Sequence, residues 1–286
     1  MSHVAFLGTG LIGSAMVEAA LGRGETVSVW NRTQDKAKPL AKLGATVAED
    51  AAEAVRGAGR VHLALTDDAA VDAVIAAIRP GLGAGVVVVD HSTASPAGTA
   101  ARFRRCEELG IELLHAPVFM APQHCRQAQG LMLSAGPRAR FDRVKEALER
   151  MTGEVWFVGE RGDLAAAYKL FGNAMILTIV GGLSDVFAMA SSLGIDAKEA
   201  HALFSKFNPA GTIGYRGSKM AQGDFAAAFA LTMARKDLRL MLEAAGDRKL
   251  ALLPALAKRM DAFIAAGRGD EDVGVLAAPA VESHRG

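Results

Sequence analysis

Gly8, Gly10 and Gly13 stand in G-x-G-x-x-G spacing, directly after the apolar run Val4–Leu7 and at the head of a helix-like stretch. In that context the spacing is built to hold a pyrophosphate. Gly8 permits the tight turn, Gly10 lets the backbone come close, and Gly13 lets the helix pack on the strand. The helix then presents its first N–H groups, near Leu11 and Ile12, and a partial positive charge to the phosphates. A second β-rich run, Val27–Trp30, ends in Asn31-Arg32-Thr33. An acid there would bind the ribose 2′-hydroxyl of NAD, whereas a guanidinium flanked by neutral polar groups pairs with a 2′-phosphate. The expected cofactor is NADP(H), held by Gly8, Gly10, Leu11, Ile12, Gly13, Asn31, Arg32 and Thr33. Leu65 and Thr66, at the end of the run Val61–Leu65, are expected to face it as well.

A second set of residues could act on a substrate. Open α/β sheets bind ligands beyond the carboxyl ends of their strands. Three segments fall at or near such positions: Asp90-His91-Ser92-Thr93-Ala94-Ser95-Pro96, His115 to Pro122, and Tyr168 to Asn173. Lys169 and Asn173 are one helical turn apart and share a face. Spacing alone leaves two readings of Lys169, a proton-transfer group or a lysine snorkelling to the rim of an apolar helix. His91 reads more readily as a satisfied structural histidine than as a ribose contact. His124 fits a loop surface as well as a substrate contact. Asp67 and Asp68 fit a helix N-cap as well as a ribose contact. Cys125 has no base placed beside it, and no His/Cys/Asp spacing suggests a metal site.

These residues need elements to carry them. From Met1 to about Gly159 strand-like and helix-like runs alternate, and the strands stop after Gly162, which predicts a mostly parallel sheet covered by helices. Val61–Leu65, Val86–Asp90, Ile111–Val118, Leu131–Ala135 and Val155–Val158 read as further strands. After Asp163, a plausible N-cap, one helical pattern runs from Leu164 to about Leu193, a rod of roughly 45 Å. Its apolar stretch is bounded by Lys169 and Asp185 too closely for a membrane span of roughly 20 apolar residues, so it reads as a buried helix. Its length predicts that it joins two halves and packs against a second subunit. Shorter helices broken at Asn208-Pro209, Gly214, Gly223 and Gly246 follow. The expected architecture is therefore an α/β Rossmann domain over 1–162, an interdomain helix over 163–193 and an all-α C-terminal domain over 194–286. The chain has 286 residues, 51% of them hydrophobic, and 32 basic against 31 acidic groups. That balance gives no reason to expect a nucleic-acid or other polyanion partner. Two cysteines suit a reducing setting, and with a strand almost at the N-terminus a cytoplasmic protein without a leader is the expectation.

The motifs taken together resemble the β-hydroxyacid dehydrogenase family, which includes 3-hydroxyisobutyrate dehydrogenases and short-chain semialdehyde reductases. The likeness rests on Gly8-Thr9-Gly10-Leu11-Ile12-Gly13, Asp90 to Pro96, Ala116-Pro117-Val118, Lys169 with Asn173, and Arg235-Lys236-Asp237-Leu238. It implies hydride transfer between a hydroxy compound and its aldehyde or ketone, with Lys169 as general acid/base and Asn173 orienting the substrate. It further implies that Ser92 and Thr93 line the nicotinamide pocket, that Lys236 approaches the cofactor from the helical domain, and that the protein is a homodimer or a dimer of dimers. A non-catalytic dinucleotide-binding scaffold is the rival from another class, and the presence of both Lys169 and Asn173 argues against it. The chain departs from the family after Ala-Pro-Val. The family has Ser-Gly-Gly there; this chain has Phe119-Met120-Ala121-Pro122, and Pro122 lacks an N–H. Phe119 and Met120 are thus expected to line a more apolar substrate pocket. Leu133 to Arg138 and Phe141-Asp142 are also similar to imine reductases, which mostly place Asp or Tyr where this chain has Lys169. Reduction of C=N bonds is the alternative reaction.

Overall fold

The computed structural model describes residues 3–283. The chain divides into two compact units, Met1–Asn173 and Ala174–Gly286. The division falls inside the long helix rather than at Gly162, because the first turns of that helix are built into the first unit.

The first unit is organised by strands β1 (His3–Leu7), β2 (Thr26–Trp30), β3 (Thr46–Val47), β4 (Arg60–Leu63), β5 (Val87–Asp90), β6 (Glu112–His115), β7 (Val118–Phe119), β8 (Leu131–Ala135) and β9 (Glu154–Gly159). They form one sheet in the order β3-β2-β1-β4-β5-β6-β8-β7, with β9 paired to β8. Neighbours from β3 through β6 are parallel. β8 runs antiparallel to β6 and β7 and parallel to β9. The single strand expected over Ile111–Val118 is two strands, parted at Ala116-Pro117, where a proline cannot donate to a ladder.

Side chains alternate across β1, and each face has its own core. Val4 and Phe6 join Val27, Val29 and Met16 on one side. Ala5 and Leu7 join Val61, Leu63 and Val71 on the other. Both faces are therefore closed, as a parallel sheet requires. Sequence order reverses between β1 and β4, so the crevice beyond their carboxyl ends is the place for a ligand.

Helices α1 (Leu11–Gly22), α2 (Lys38–Ala41), α3 (Ala51–Val55), α4 (Asp68–Ile78), α5 (Pro96–Glu108), α6 (Pro122–Arg126) and α7 (Arg138–Glu149) lie between the strands, and α8 spans Leu164–Ser192, followed by α9 (Ala197–Ala202). The Asp163 carboxylate is engaged by Arg161 at 2.7 Å. By length and composition this helix could cross a membrane, a test that the core helix of a soluble protein also passes. The expectation of a buried helix fails for the single chain: Leu177 is 69% and Val180 58% exposed. The second unit centres on Phe225, Leu231, Ala234, Leu238, Met260 and Val275. Its helix α10 (Gly211–Ala221) runs straight through Gly214, correcting the expected break there, while α11 (Leu231–Ala245) does end at Gly246. Asp185 of α8 accepts from the backbone N–H groups of Ala251, Leu252 and Leu253. It thereby satisfies the open start of α12 (Leu253–Ala265).

Candidate active site

Helix α1 (Leu11–Gly22) starts at the end of β1, and its N-cap, Gly10, offers no side-chain cap. The first N–H groups, at Leu11 and Ile12, are left for an acceptor from outside the helix. Each glycine has a distinct reason. Gly8 has φ +99°, and a Cβ there would lie 2.3 Å from Ala64 O. A Cβ on Gly13 would lie 2.0 Å from Gly8 O, so the helix can approach the turn only without one. A Cβ on Gly10 would meet no atom within 4 Å, leaving open space where the backbone faces a ligand.

A cleft of about 360 Å³ lies against this turn, lined by Gly8, Gly10, Arg32, Thr33, Leu65 and Thr66 among others. Asn31 borders it too, but both ends of its amide are used. Oδ1 accepts from Thr9 N at 3.0 Å and Nδ2 donates to Thr33 O at 2.9 Å. Asn31 thus ties the glycine turn to the end of β2. Lys36 also lines the cleft, near Arg32, and sequence reasoning missed it. The clue was present, since Lys36 follows Arg32 by one turn of chain. The apolar wall comes from Ala70, Ala73 and Ala77 of α4 (Asp68–Ile78), whose N-cap is Asp67. The shape, the open helix terminus and the cationic rim fit a dinucleotide.

The loop after β5 is held at both ends. Asp90 Oδ1 accepts from Ser92 N at 2.9 Å, and Asp68 Oδ2 accepts from Ser95 N at 3.0 Å. One buried guanidinium, Arg102, bonds Asp68 at 2.8 Å and lies 3.8 Å from Asp90. Burial disfavours its charge, but Asp68, Asp72 and Asp90 outweigh that and raise its pKa. Ser92 is itself buried, and its Oγ accepts from Leu65 N at 2.9 Å. Ser92 therefore joins two loops, and Thr93 is the exposed member of the pair.

Behind that loop runs a directional hydrogen-bond chain. A carbonyl oxygen can only accept, so His91 Nδ1 carries the proton it gives to Ala116 O at 2.7 Å. His91 Nε2 then accepts from His62 Nδ1 at 2.8 Å, and His62 Nε2 accepts from Arg60 Nε at 2.7 Å. Burial is the leading reason that both imidazoles stay neutral, with His91 brought down to about 4 and His62 well below its ordinary value. His91 is thus a structural histidine that fixes the backbone beside Pro117 and Val118.

Val118 O is the acceptor for Lys169 Nζ, at 2.8 Å. Lys169 is buried, and desolvation lowers its pKa from 10.5. The Phe119 ring lies over Nζ with its centroid 3.9 Å away. Asn173 follows one turn later on α8, half-buried. Met120 departs from expectation. It packs on the core beneath the sheet, and a Cβ on Gly130 would lie 2.7 Å from its Cγ. Of the two large residues replacing Ser-Gly, Phe119 faces the lysine, and Met120, half-buried, packs against the core at Gly130. His124 Nδ1 accepts from Ala121 N at 3.1 Å, and Arg126 pairs with Glu18, so both have local duties. Cys125 is buried and its thiol is pushed up by burial, which makes it inert. Among the described residues no cluster fit to hold a metal is present. In the second unit, Arg235 pairs with Asp261, Lys236 with Asp237 at 2.9 Å, and Leu238 enters the core.

The doubly wound sheet, its glycine turn and the buried lysine at the same end of the strands define an NAD(P)-binding oxidoreductase. Residues 3–159 match the profile of the NAD binding domain of 6-phosphogluconate dehydrogenase. The chain is 30% identical over 286 residues to the oxidoreductase YfjR of Bacillus subtilis, across 96% of this chain and 98% of that one. It is 27% identical over 279 residues to glyoxylate/succinic semialdehyde reductase 1 of Arabidopsis thaliana, across 94% and 95% of the two chains. An imine reductase of Streptomyces aurantiacus shares the fold with a TM-score of 0.89 and 27% identity, over 96% and 98% of the two chains. This protein belongs to the family of that NAD binding domain, the β-hydroxyacid dehydrogenases and imine reductases.

Proposed function

We propose that this enzyme reduces aldehydes or ketones with NADPH and oxidises the matching alcohols with NADP+, with Lys169 as general acid/base. The observation that carries the reading is Lys169 itself, a desolvated amine held by Val118 O beyond the carboxyl ends of the strands. A nicotinamide cofactor supplies or accepts the hydride when bound. In reduction the Lys169 ammonium hydrogen-bonds the carbonyl oxygen and gives up its proton as the alcohol forms. In oxidation the neutral amine takes the proton from the hydroxyl. Asn173 orients the substrate one turn along the helix. Thr93 faces the nicotinamide, and Ser92 and Arg102 hold its loop in place. The 2′-phosphate of NADP(H) is met by Arg32, Thr33 and Lys36, and the adenine rests on the alanines of α4.

Phe119 turns substrate preference from small anionic hydroxy acids towards less charged carbonyl compounds. A second reading, reduction of C=N bonds, draws on the same apolar residue and on the likeness to a protein named as an imine reductase. The test is NADPH oxidation against semialdehydes, apolar aldehydes, ketones and cyclic imines. Turnover of uncharged carbonyl compounds above the rest is expected. Turnover confined to imines overturns the carbonyl assignment, and turnover of none overturns the enzymatic one.

The enzyme works in the cytoplasm as a homodimer, with a second copy covering the exposed apolar side chains of α8, such as Leu177 and Val180. Sedimentation at micromolar concentration should show a dimer or a dimer of dimers; an active monomer contradicts this.

A further inference from the structure

The lysine that carries the proposed reaction is covered. One of its three N–H groups is given to Val118 O at 2.8 Å. A second side of the ammonium is occupied by the Phe119 ring, whose centroid is 3.9 Å from Nζ. Lys169 is only 9% exposed. Among the described residues no neighbouring charge adds to burial as the cause of its lowered pKa. An aromatic ring is therefore the electrostatic partner that this ammonium has in place of a carboxylate.

The ring owes its position to a glycine. A Cβ on Gly172 would lie 2.3 Å from Phe119 Cζ and 2.6 Å from Cε1. Any other residue at 172 would drive the ring off its seat. Glycine is a poor choice inside a helix, and no left-handed backbone accounts for it here. Lys169 and Gly172 are three residues apart on α8, so they present neighbouring points of one face to the ring.

We infer that the contact of Phe119 with Gly172 sets the substrate class, leaving one N–H of Lys169 for a neutral carbonyl oxygen and turning away carboxylate-bearing compounds of the same size. The ring face carries partial negative charge, which attracts the ammonium and repels a carboxylate. A carboxylate binds best to paired donors, and the ammonium has only one left to offer. Reaching more of the amine means displacing the ring, and the ring is wedged between the lysine and the helix. This inference rests on the proposed carbonyl chemistry of Lys169 and extends it to specificity.

Two variants separate the contact from turnover. Gly172→Ala improves helix propensity, so α8 keeps its structure while the new Cβ displaces the ring. Phe119→Leu keeps apolar bulk and removes the π face. Lys169 is labelled with acetic anhydride at mildly alkaline pH in the presence of NADP+, and its acetylation is followed by peptide mass spectrometry. The probes are butyrate and 2-pentanone, of similar size, the first an anion and the second uncharged. In the unaltered enzyme 2-pentanone should slow the labelling and butyrate should not. In both variants labelling should rise by roughly three- to tenfold, the range a cation–π contact commands, and butyrate should now protect. Unchanged labelling in both variants overturns the inference. So does protection of the unaltered enzyme by butyrate as strong as by 2-pentanone, or no protection by 2-pentanone at all. Loss of NADPH oxidation with every carbonyl compound would instead strike at the proposed reaction, because the labelling reads the covered amine without turnover.

Discussion

Beyond β1 the chain makes its ligand site from backbone: Gly8 turns with φ +99°, Gly13 closes on Gly8 O, and the open end of α1 does the rest. Beyond β6 it makes a site from side chains that are far apart in sequence. Lys169 reaches Val118 O across 51 residues, and Phe119 lies on both Lys169 and Gly172. The first kind of site tolerates little change, since a Cβ at 2.0–2.3 Å from a carbonyl oxygen has nowhere to go. The second can be re-tuned by one substitution, because a ring or an amine can be exchanged without moving the sheet. The difference suits a family in which dinucleotide binding is common ground and the substrate varies.

The comparison is tested most severely at Lys169. Lys169→Ala should lower kcat by about 10²–10⁴ with little change in NADP(H) affinity, the span expected for loss of general acid/base help. Survival of carbonyl reduction within a few-fold would make the lysine structural. In the unaltered enzyme, reduction should fall and oxidation should rise as pH increases through the pKa of Lys169, at a point below 10.5. Stability follows a related sign. The folded state lowers this pKa, so the unfolded chain holds the extra proton, and stability rises with pH between the folded value and 10.5. Lys169→Met should lose that rise while keeping its Tm near neutrality.

A smaller effect is expected on the cofactor side. Arg32→Asp should remove a preference of about tenfold or more for NADP(H), roughly 1.4 kcal/mol, by setting a carboxylate against the 2′-phosphate. Equal dissociation constants for NADP(H) and NAD(H) in the unaltered protein contradict the proposed role of Arg32. Smallest of all, Lys36→Ala should weaken NADPH binding by only about two- to fivefold, since an exposed cation on a flexible stem gains little in water. An unchanged NADPH dissociation constant would remove Lys36 from the site.

The same division decided what could be read in advance. Strand β1, the glycine turn and the start of α1 are local, and alternation with spacing is enough to place them. Ser92 was legible as a member of the loop after β5, but its task was not. The Ser92–Leu65 bond and the clamp of Arg102 on Asp68 and Asp90 exist only once β4, β5 and the helices beside them are assembled. Asn31 was legible as a neighbour of the cofactor and illegible as the tie between Thr9 and Thr33.

The amino-acid sequence alone determined the glycine turn and the helix start of the nucleotide-binding half, because the positive φ of Gly8 and the close approach of Gly13 to Gly8 O are local demands that glycine meets. It also determined that a lysine sits on an apolar helix. Only the tertiary structure decided what that lysine meets. Met120 and Phe119 are adjacent and both apolar, yet the space left by Gly130 and Gly172 lets one pack against the core and the other lie over the amine. Such a choice depends on room between distant segments, and no local pattern records it.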